Sequence, residues 1–258
     1  MKKLRYLYTD GDHKWAVVAR DPERPPFVID TNEYLIVKGD DAILTDPGGL
    51  EIFPVVFTAV SQEFNPEQIN KIFSSHQDPD IISSLGLWLE VNPDIRCHLS
   101  WLWRTFVPHF GGTRDTFVSI PDEGVRIPLG DIELEAIPAH YLHSCGNFNL
   151  WDPKAKILFS GDIGAALLPP GKIHDLFVSD FDAHLPYITV FHQRWMASNQ
   201  AKNDWCRRVR ELKPEMICPQ HGSIYKGEMV TRFIDWFEAL EVGVLGVTPP
   251  ALDLSGRG

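Results

Sequence analysis

Short runs of β-branched and aromatic residues dominate the start of the chain. WAVVA, FVID, EYLIVKG and DAILTDP follow one another between residues 14 and 60, each cut off by turn-forming residues. Gly39-Asp40-Asp41 separates two of them, and Asp46-Pro47-Gly48-Gly49 stops the last. This pattern predicts a β-rich opening through about residue 60. It changes at Asn65-Pro66, an N-cap with proline in the first helical position, which predicts a helix to about Ile72. KIFSS then predicts a short strand, IISSLGLWLEV a helix, RCHLS a strand, and WLWRTFVPHF a helix ending near Pro108 and Gly111. Strands return from 116 to 138 in TFVSI, GVRIPLG and IELEAIP. FNLWD and KILFSGD read as a hairpin turned at Asp152-Pro153. Residues 184–212 are predicted helical, and EMICPQHG is a strand entering a tight turn. In MVTRFIDWFEAL, Val230, Phe233, Phe237 and Leu240 fall on one helical face. The order β-rich, α, β-rich, α predicts two halves, each pairing a sheet with helices. We expect one unit over residues 1–245 and a flexible Pro- and Gly-rich tail over 246–258.

Composition narrows the class. With 44% hydrophobic and 23% charged residues, the chain reads as a soluble globular protein. A formal net charge of −11 argues against a nucleic-acid or anionic-membrane partner. No apolar segment follows MKKLRYLYTDGDHKW, so no signal peptide is expected, and no apolar run is long enough for a membrane span. Cys97, Cys145, Cys206 and Cys218 are scattered without a CxxC pair, which points to free thiols in a reducing cytoplasm.

The candidate chemistry starts at SSHQDPDIIS, where His76, Asp78 and Asp80 occupy alternate positions. A purely structural account exists: a strand ends at His76, Asp78 caps a helix, Pro79 fills its first position, and Asp80 suits the helix dipole. Other residues add to the motif. His143 in LHSCGN, Asp162 in FSGDIG and His221 in CPQHGS each lie at or just past a predicted strand end, where side chains converge on one rim of a sheet. Three imidazoles and three carboxylates are costly to pack together without cations, and two divalent ions with a bridging carboxylate would use all six.

These residues resemble the metallo-β-lactamase superfamily, whose first motif has the form His-x-His-x-Asp-His and is followed by a histidine, an aspartate and a histidine. TDPGG is similar to that superfamily's early Asp-x-Gly turn, and the likeness spans roughly residues 30–225. Within the superfamily the chain looks most like the di-iron domain of flavodiiron proteins, and HQDPD looks like the short oxygen-binding members without a flavodoxin domain. The resemblance implies a four-layer αββα sandwich of mixed α/β (α+β) class. It implies that His76, Asp78 and His143 hold one metal, that Asp80 and His221 hold the second, and that Asp162 bridges them. Position 81 is isoleucine where the superfamily has histidine, so the second metal would have an open coordination position or be weakly held. His140 is an alternative to His143, or touches a ligand instead, and Asp46 is read as a hydrogen-bond acceptor behind one.

Carboxylate in place of imidazole favours iron, with zinc or manganese as alternatives. The first functional expectation is an O2- or NO-binding di-iron protein that senses or reduces its ligand. Too few residues follow His221 for a flavodoxin domain, so electrons would come from a separate protein, or a signalling protein would be the partner. The second is a binuclear hydrolase of thioesters or phosphodiesters using a metal-bridging hydroxide. The resemblance also implies a homodimer. Cys145 and Cys218 lie near ligand positions but are read as ordinary free thiols. His109, His174, His184 and His192 lack ligand spacing, with His184 or His192 as pocket-lining candidates, and Trp88, Trp101 and Trp103 are expected in the core. The basic run CRRVRELK is read as a solvated helix face.

Overall fold

In a computed structural model, residues 4–18, 29–172 and 174–246 are described. The first half builds one sheet from β1 (Arg5–Asp10), β2 (His13–Val18), β3 (Glu33–Lys38), β4 (Asp41–Thr45), β5 (Ile69–Phe73), β6 (Arg96–Ser100) and β7 (Phe117–Ile120). Its strands lie in chain order, antiparallel as far as β4 and parallel from β4 to β7. The helices α1 (Phe53–Ser61), then α2 (Pro79–Ile82) with α3 (Leu85–Val91), form the crossovers from β4 to β5 and from β5 to β6, and 3-10 turns make the one from β6 to β7. The second sheet holds β8 (Val125–Leu129), β9 (Ile132–Pro138), β10 (Phe148–Asp152), β11 (Ile157–Gly161), β12 (Met216–Pro219) and β13 (Tyr225–Lys226). Against it lie α4 (Phe181–Trp195), α5 (Asn199–Leu212) and α6 (Glu228–Ala239).

Three cores separate four layers. Strand alternation sends Trp15, Val17, Tyr34 and Ile36 inward to meet Phe148, Leu150, Ile157 and Phe159 of the opposite sheet. The neighbours Ala16, Val18, Leu35 and Val37 point outward onto α1, α2 and α3. On the other side, Trp151, Leu158 and Ile217 pack under α4, α5 and α6, where Val230, Phe233 and Phe237 are buried and Leu240 packs against them. Strands covered on both faces read as near-continuous apolar runs, which is why EYLIVK and ILFSG carry so little polar alternation.

Several expectations change. FPVVFTAVS was expected within the β-rich opening, yet Phe53–Ser61 is helical, with Pro54 in the first turn and Val56, Ala59 and Val60 facing the sheet. The helix expected after Asn65-Pro66 is a single 3-10 turn, Pro66–Gln68, and β5 already starts at Ile69. WLWRTFVPHF forms separate 3-10 turns, because Pro108 and the Gly111-Gly112 pair prevent a continued helix. Trp88 is in the core as expected, but Trp101 is half exposed and donates Nε1 to Asp122 at 2.7 Å. In FVID, Ile29 and Asp30 are not in a strand, and Phe27 and Val28 lie outside the described residues, as does the tail after residue 246.

Candidate metal centre

Every motif residue leaves a strand at one rim of the sandwich. β4 and β5 are parallel, so Asp46 and His76 emerge side by side. β11 and β12 are parallel, so Asp162 and His221 do the same, and His143 lies in the loop joining β9 to β10. The sheets touch here, where the Phe148 amide donates to the Ser75 carbonyl at 3.0 Å. Gly161 needs its missing side chain, since a Cβ would lie 2.9 Å from Ser75 Oγ and φ is +55°.

The capping account of Asp78 is half right. Asp78 is the N-cap of α2 and Pro79 follows it, but the carboxylate makes no capping bond. It turns instead to His143, with Oδ2 2.9 Å from Nε2. His76 Nε2 lies 3.6 Å from the same oxygen and 3.8 Å from Asp162 Oδ2. His143 Nε2 is also 3.8 Å from Asp162 Oδ2. The other oxygen of Asp162, Oδ1, lies 3.4 Å from His221 Nε2, which is 3.3 Å from Asp80 Oδ2. All six predicted residues therefore lie together in two groups, with one Asp162 oxygen turned to each. Donor atoms of His76, Asp78 and His143 lie within 4.8 Å of one another.

This arrangement fits cations. Among the described residues, buried His76 Nε2 and Asp162 Oδ1 find no hydrogen-bond partner of good geometry, and both are aimed into the shared space. His76, Asp162 and His221 are buried, whereas Asp78 and Asp80 are about one-third exposed, so the opening lies on the side of these two carboxylates. Without a cation, protons must balance the charge. Burial opposes charge on His76, but the carboxylates of Asp162, Asp78 and Asp46 outweigh it and raise its pKa to about 9. His221 is likewise raised well above its ordinary value against burial, by Asp162 and Asp80. Burial works to raise Asp162 and Asp78, yet His221, His76 and His143 hold Asp162 well below the usual carboxylate range, and His143 and His76 do the same for Asp78.

Neighbours fix the ring orientations. Ser75 Oγ lies 2.9 Å from His76 Nδ1 and donates to Asp46 Oδ2 at 2.6 Å, while the Ser75 amide donates to Asp46 Oδ1 at 2.7 Å. Asp46 thus reaches His76 through a serine that its position in the motif did not single out. Burial raises its carboxyl to about 7, with His76 and the Ser75 donors pulling the other way. His221 Nδ1 faces the Asp30 carbonyl, and Asn32 Nδ2 donates to the carbonyls of Pro219 and Gly222 at 3.1 and 2.9 Å. Gln77 spans the two loops, donating to Asp78 Oδ1 at 3.0 Å and accepting from Ser144 Oγ at 2.8 Å. None of Ser75, Gln77, Asn32 or Ser144 carries a local pattern that sequence reasoning could have used.

His140 is engaged elsewhere. Its Nε2 lies 2.9 Å from the Asp122 carbonyl and its ring packs edge-on against Phe148, lining a cleft with Arg126 and Arg208. Ile81 is fully buried in the core beneath α2 and α3. Cys218 is buried between the sheets and Cys145 is exposed. Replacing Ser75 by alanine frees His76 Nδ1 and should weaken metal retention by about 10–100-fold, measured by competition with a chelator.

Comparison with known proteins narrows the assignment. A family model described as ODP family beta lactamase matches residues 29–222. The chain belongs to the ODP family. Its fold is the metallo-β-lactamase-like sandwich. A solved structure of the apo state of the chemotaxis sensor ODP from T. denticola shares 41% identity with this ODP-family chain, with a TM-score of 0.84. The match covers 93% of this chain and 96% of that one, and the same sensor is also solved as a peroxy diiron species. Rubredoxin oxygen:oxidoreductase from Desulfovibrio gigas, at 17% identity and a TM-score of 0.79 over 91% of this chain and 61% of its own, shares the fold alone. Among curated sequences, an uncharacterized protein of Methanocaldococcus jannaschii is 25% identical over 89% of this chain. Diflavin flavoprotein A 1 of Synechocystis is 23% identical over 81%. The alignments span 58% and 36% of the lengths of these two relatives. Among the described residues, no helix of this ODP-family chain is long and apolar enough to cross a membrane.

Proposed function

We propose that this protein binds two iron ions and uses them to sense O2 or NO. His76, Asp78 and His143 hold one ion, Asp80 and His221 hold the other, and Asp162 joins them. The observation that carries this reading is the split carboxylate of Asp162, with Oδ2 facing His76 and His143 and Oδ1 facing His221. Three carboxylates among six donors make a harder site than an imidazole-rich one and favour iron over zinc. When bound, the ions supply the affinity for a diatomic gas and the redox chemistry. The protein supplies the rest: Ser75 and the Asp30 carbonyl orient two of the rings, Gln77 ties the Asp78 and His143 loops, and Ile81 contributes no donor to the second group.

Sensing is preferred to turnover because the 41% identical relative, matched along nearly all of its length, is a chemotaxis sensor. The partner is then a signalling protein, with a separate electron donor needed only if the ligand is reduced. We place the protein in the cytoplasm, as a homodimer of one folded unit over residues 1–245.

Anaerobic purification followed by metal analysis and admission of air tests this. Iron near two per chain with a new visible absorption band is the expected result. Zinc with no spectral change, together with turnover of a thioester or phosphodiester, would instead establish the hydrolase alternative.

A further inference from the structure

Asp162 must serve both groups, so the turn that carries it sets the geometry of the whole centre. That turn leaves β11 at Gly161 and passes through Gly164, with φ of +55° and +94°. Ser160 Oγ closes it by donating to the Ile163 carbonyl at 2.6 Å, and the Ala165 amide donates to the Asp162 carbonyl at 3.1 Å. Two side chains from outside hold it at Gly164. The Gly164 amide donates to His192 Nε2 at 2.9 Å, and Tyr225 donates its hydroxyl to the Gly164 carbonyl at 2.9 Å.

His192 is built to accept. It sits on α4, fully buried, with Nδ1 2.7 Å from the Ile188 carbonyl, so the ring proton belongs on Nδ1 and Nε2 is a bare acceptor. Phe191, Phe233, Trp236 and Phe237 enclose the ring, with centroids 5.2–5.8 Å away. Burial in this apolar shell holds its pKa down to about 4. A packing role would be met by phenylalanine. The hydrogen bond to Gly164 would not.

We propose that His192 is a positioning residue for the metal centre, locking the Asp162 turn through the Gly164 amide with Tyr225 as the opposing clamp. This rests on the di-iron reading. The role belongs to a histidine far from the ligands in sequence, on the helical layer outside the second sheet.

The test compares His192→Phe, His192→Gln and Val209→Ala in the full chain. Phenylalanine fills the space without an acceptor, whereas glutamine can place a carbonyl oxygen near the position of Nε2. Val209 is fully buried in the same core but has no polar side-chain atom with which to hold the turn. In the metal-free protein, His192→Phe should speed hydrogen exchange across residues 162–166 by roughly tenfold, the worth of one buried hydrogen bond. In the iron-loaded protein it should speed iron loss to a chelator by a similar factor, roughly tenfold, and shift the visible band. His192→Gln should stay within roughly threefold of the wild type in both. Val209→Ala should lower Tm and leave both unchanged. Wild-type exchange and iron retention in His192→Phe would overturn the proposal, and so would equal iron loss in Val209→Ala. If His192→Phe does not fold, Tyr225→Phe, which removes only the opposing hydroxyl, is read by the same criteria. A wild-type protein that takes up no iron would sink the di-iron reading, and the exchange comparison then decides the clamp alone.

Discussion

Replacing Asp162 by alanine is expected to empty the centre of both ions while leaving the fold intact. The substitution takes away the one carboxylate whose two oxygens face both groups. The remaining donors, His76, Asp78 and His143 on one side and Asp80 and His221 on the other, each lose an anionic neighbour. Loss of an outer hydrogen-bond partner typically costs about 10–100-fold in metal affinity, and loss of a shared anionic donor should exceed that for each ion. Metal content should fall well below one per chain, with no visible band on exposure to air. Asp162→Asn keeps the shape and removes the charge, so it should also fail to retain a full complement. If Asp162→Ala keeps two ions, the bridging role is wrong. The circular dichroism of the variant should match the wild type, because Asp162 stands at the rim and not in any of the three hydrophobic cores.

The second large effect lies outside the metal centre, at Asp152. This fully buried carboxylate ends β10 and accepts from Trp15 Nε1 at 2.7 Å, and Oδ2 lies 2.8 Å from His13 Nε2 on β2. Its other oxygen accepts from the amides of Lys154 and Ala155, which shapes the hairpin turn. Asp152→Ala therefore strands several donors between the two sheets. Breaking such a buried pair from one side costs about 3–5 kcal/mol. At this chain length that lowers Tm by roughly 10 °C, and calorimetry or a thermal melt reads it directly. Burial acts to raise the Asp152 carboxyl, but the bonds from His13, Ala155 and Trp15 prevail and lower its pKa. A depressed carboxylate stabilises the fold at neutral pH, and that contribution fades as the pH falls below the ordinary carboxylate value toward the lowered one. The difference between wild type and Asp152→Ala should accordingly shrink in acid.

Asp152 also shows what the sequence could and could not disclose. Asp152-Pro153 announced a turn, and the turn is there, yet nothing local reports that the carboxylate meets residues at positions 13 and 15. That the six candidate donors come together was readable because each stands at or just past the end of a strand, and such ends converge on one rim of the sandwich. Those residues also carry side chains whose chemistry is conspicuous in an otherwise apolar setting. The supporting residues are different. Ser75, Gln77, Asn32 and His192 act through backbone groups brought close only by the finished fold. Helix α1 was missed for another reason: a Val-rich run has no local preference for helix, and only its packing of Val56, Ala59 and Val60 on the first sheet makes it one. His140 and His143 were separable only by their surroundings, since three residues of spacing allow either to approach the rim.

The division of the strands has one further consequence. All seven strands of the first sheet come before residue 121, and all six of the second come after residue 124. His76, Asp78 and Asp80 belong to the first piece of chain; His143, Asp162 and His221 belong to the second. Severing the backbone in the turn between β7 and β8 would leave three candidate donors on each fragment and the full set for either ion on neither. Capture of a cation pair would then announce that two separated halves had found each other.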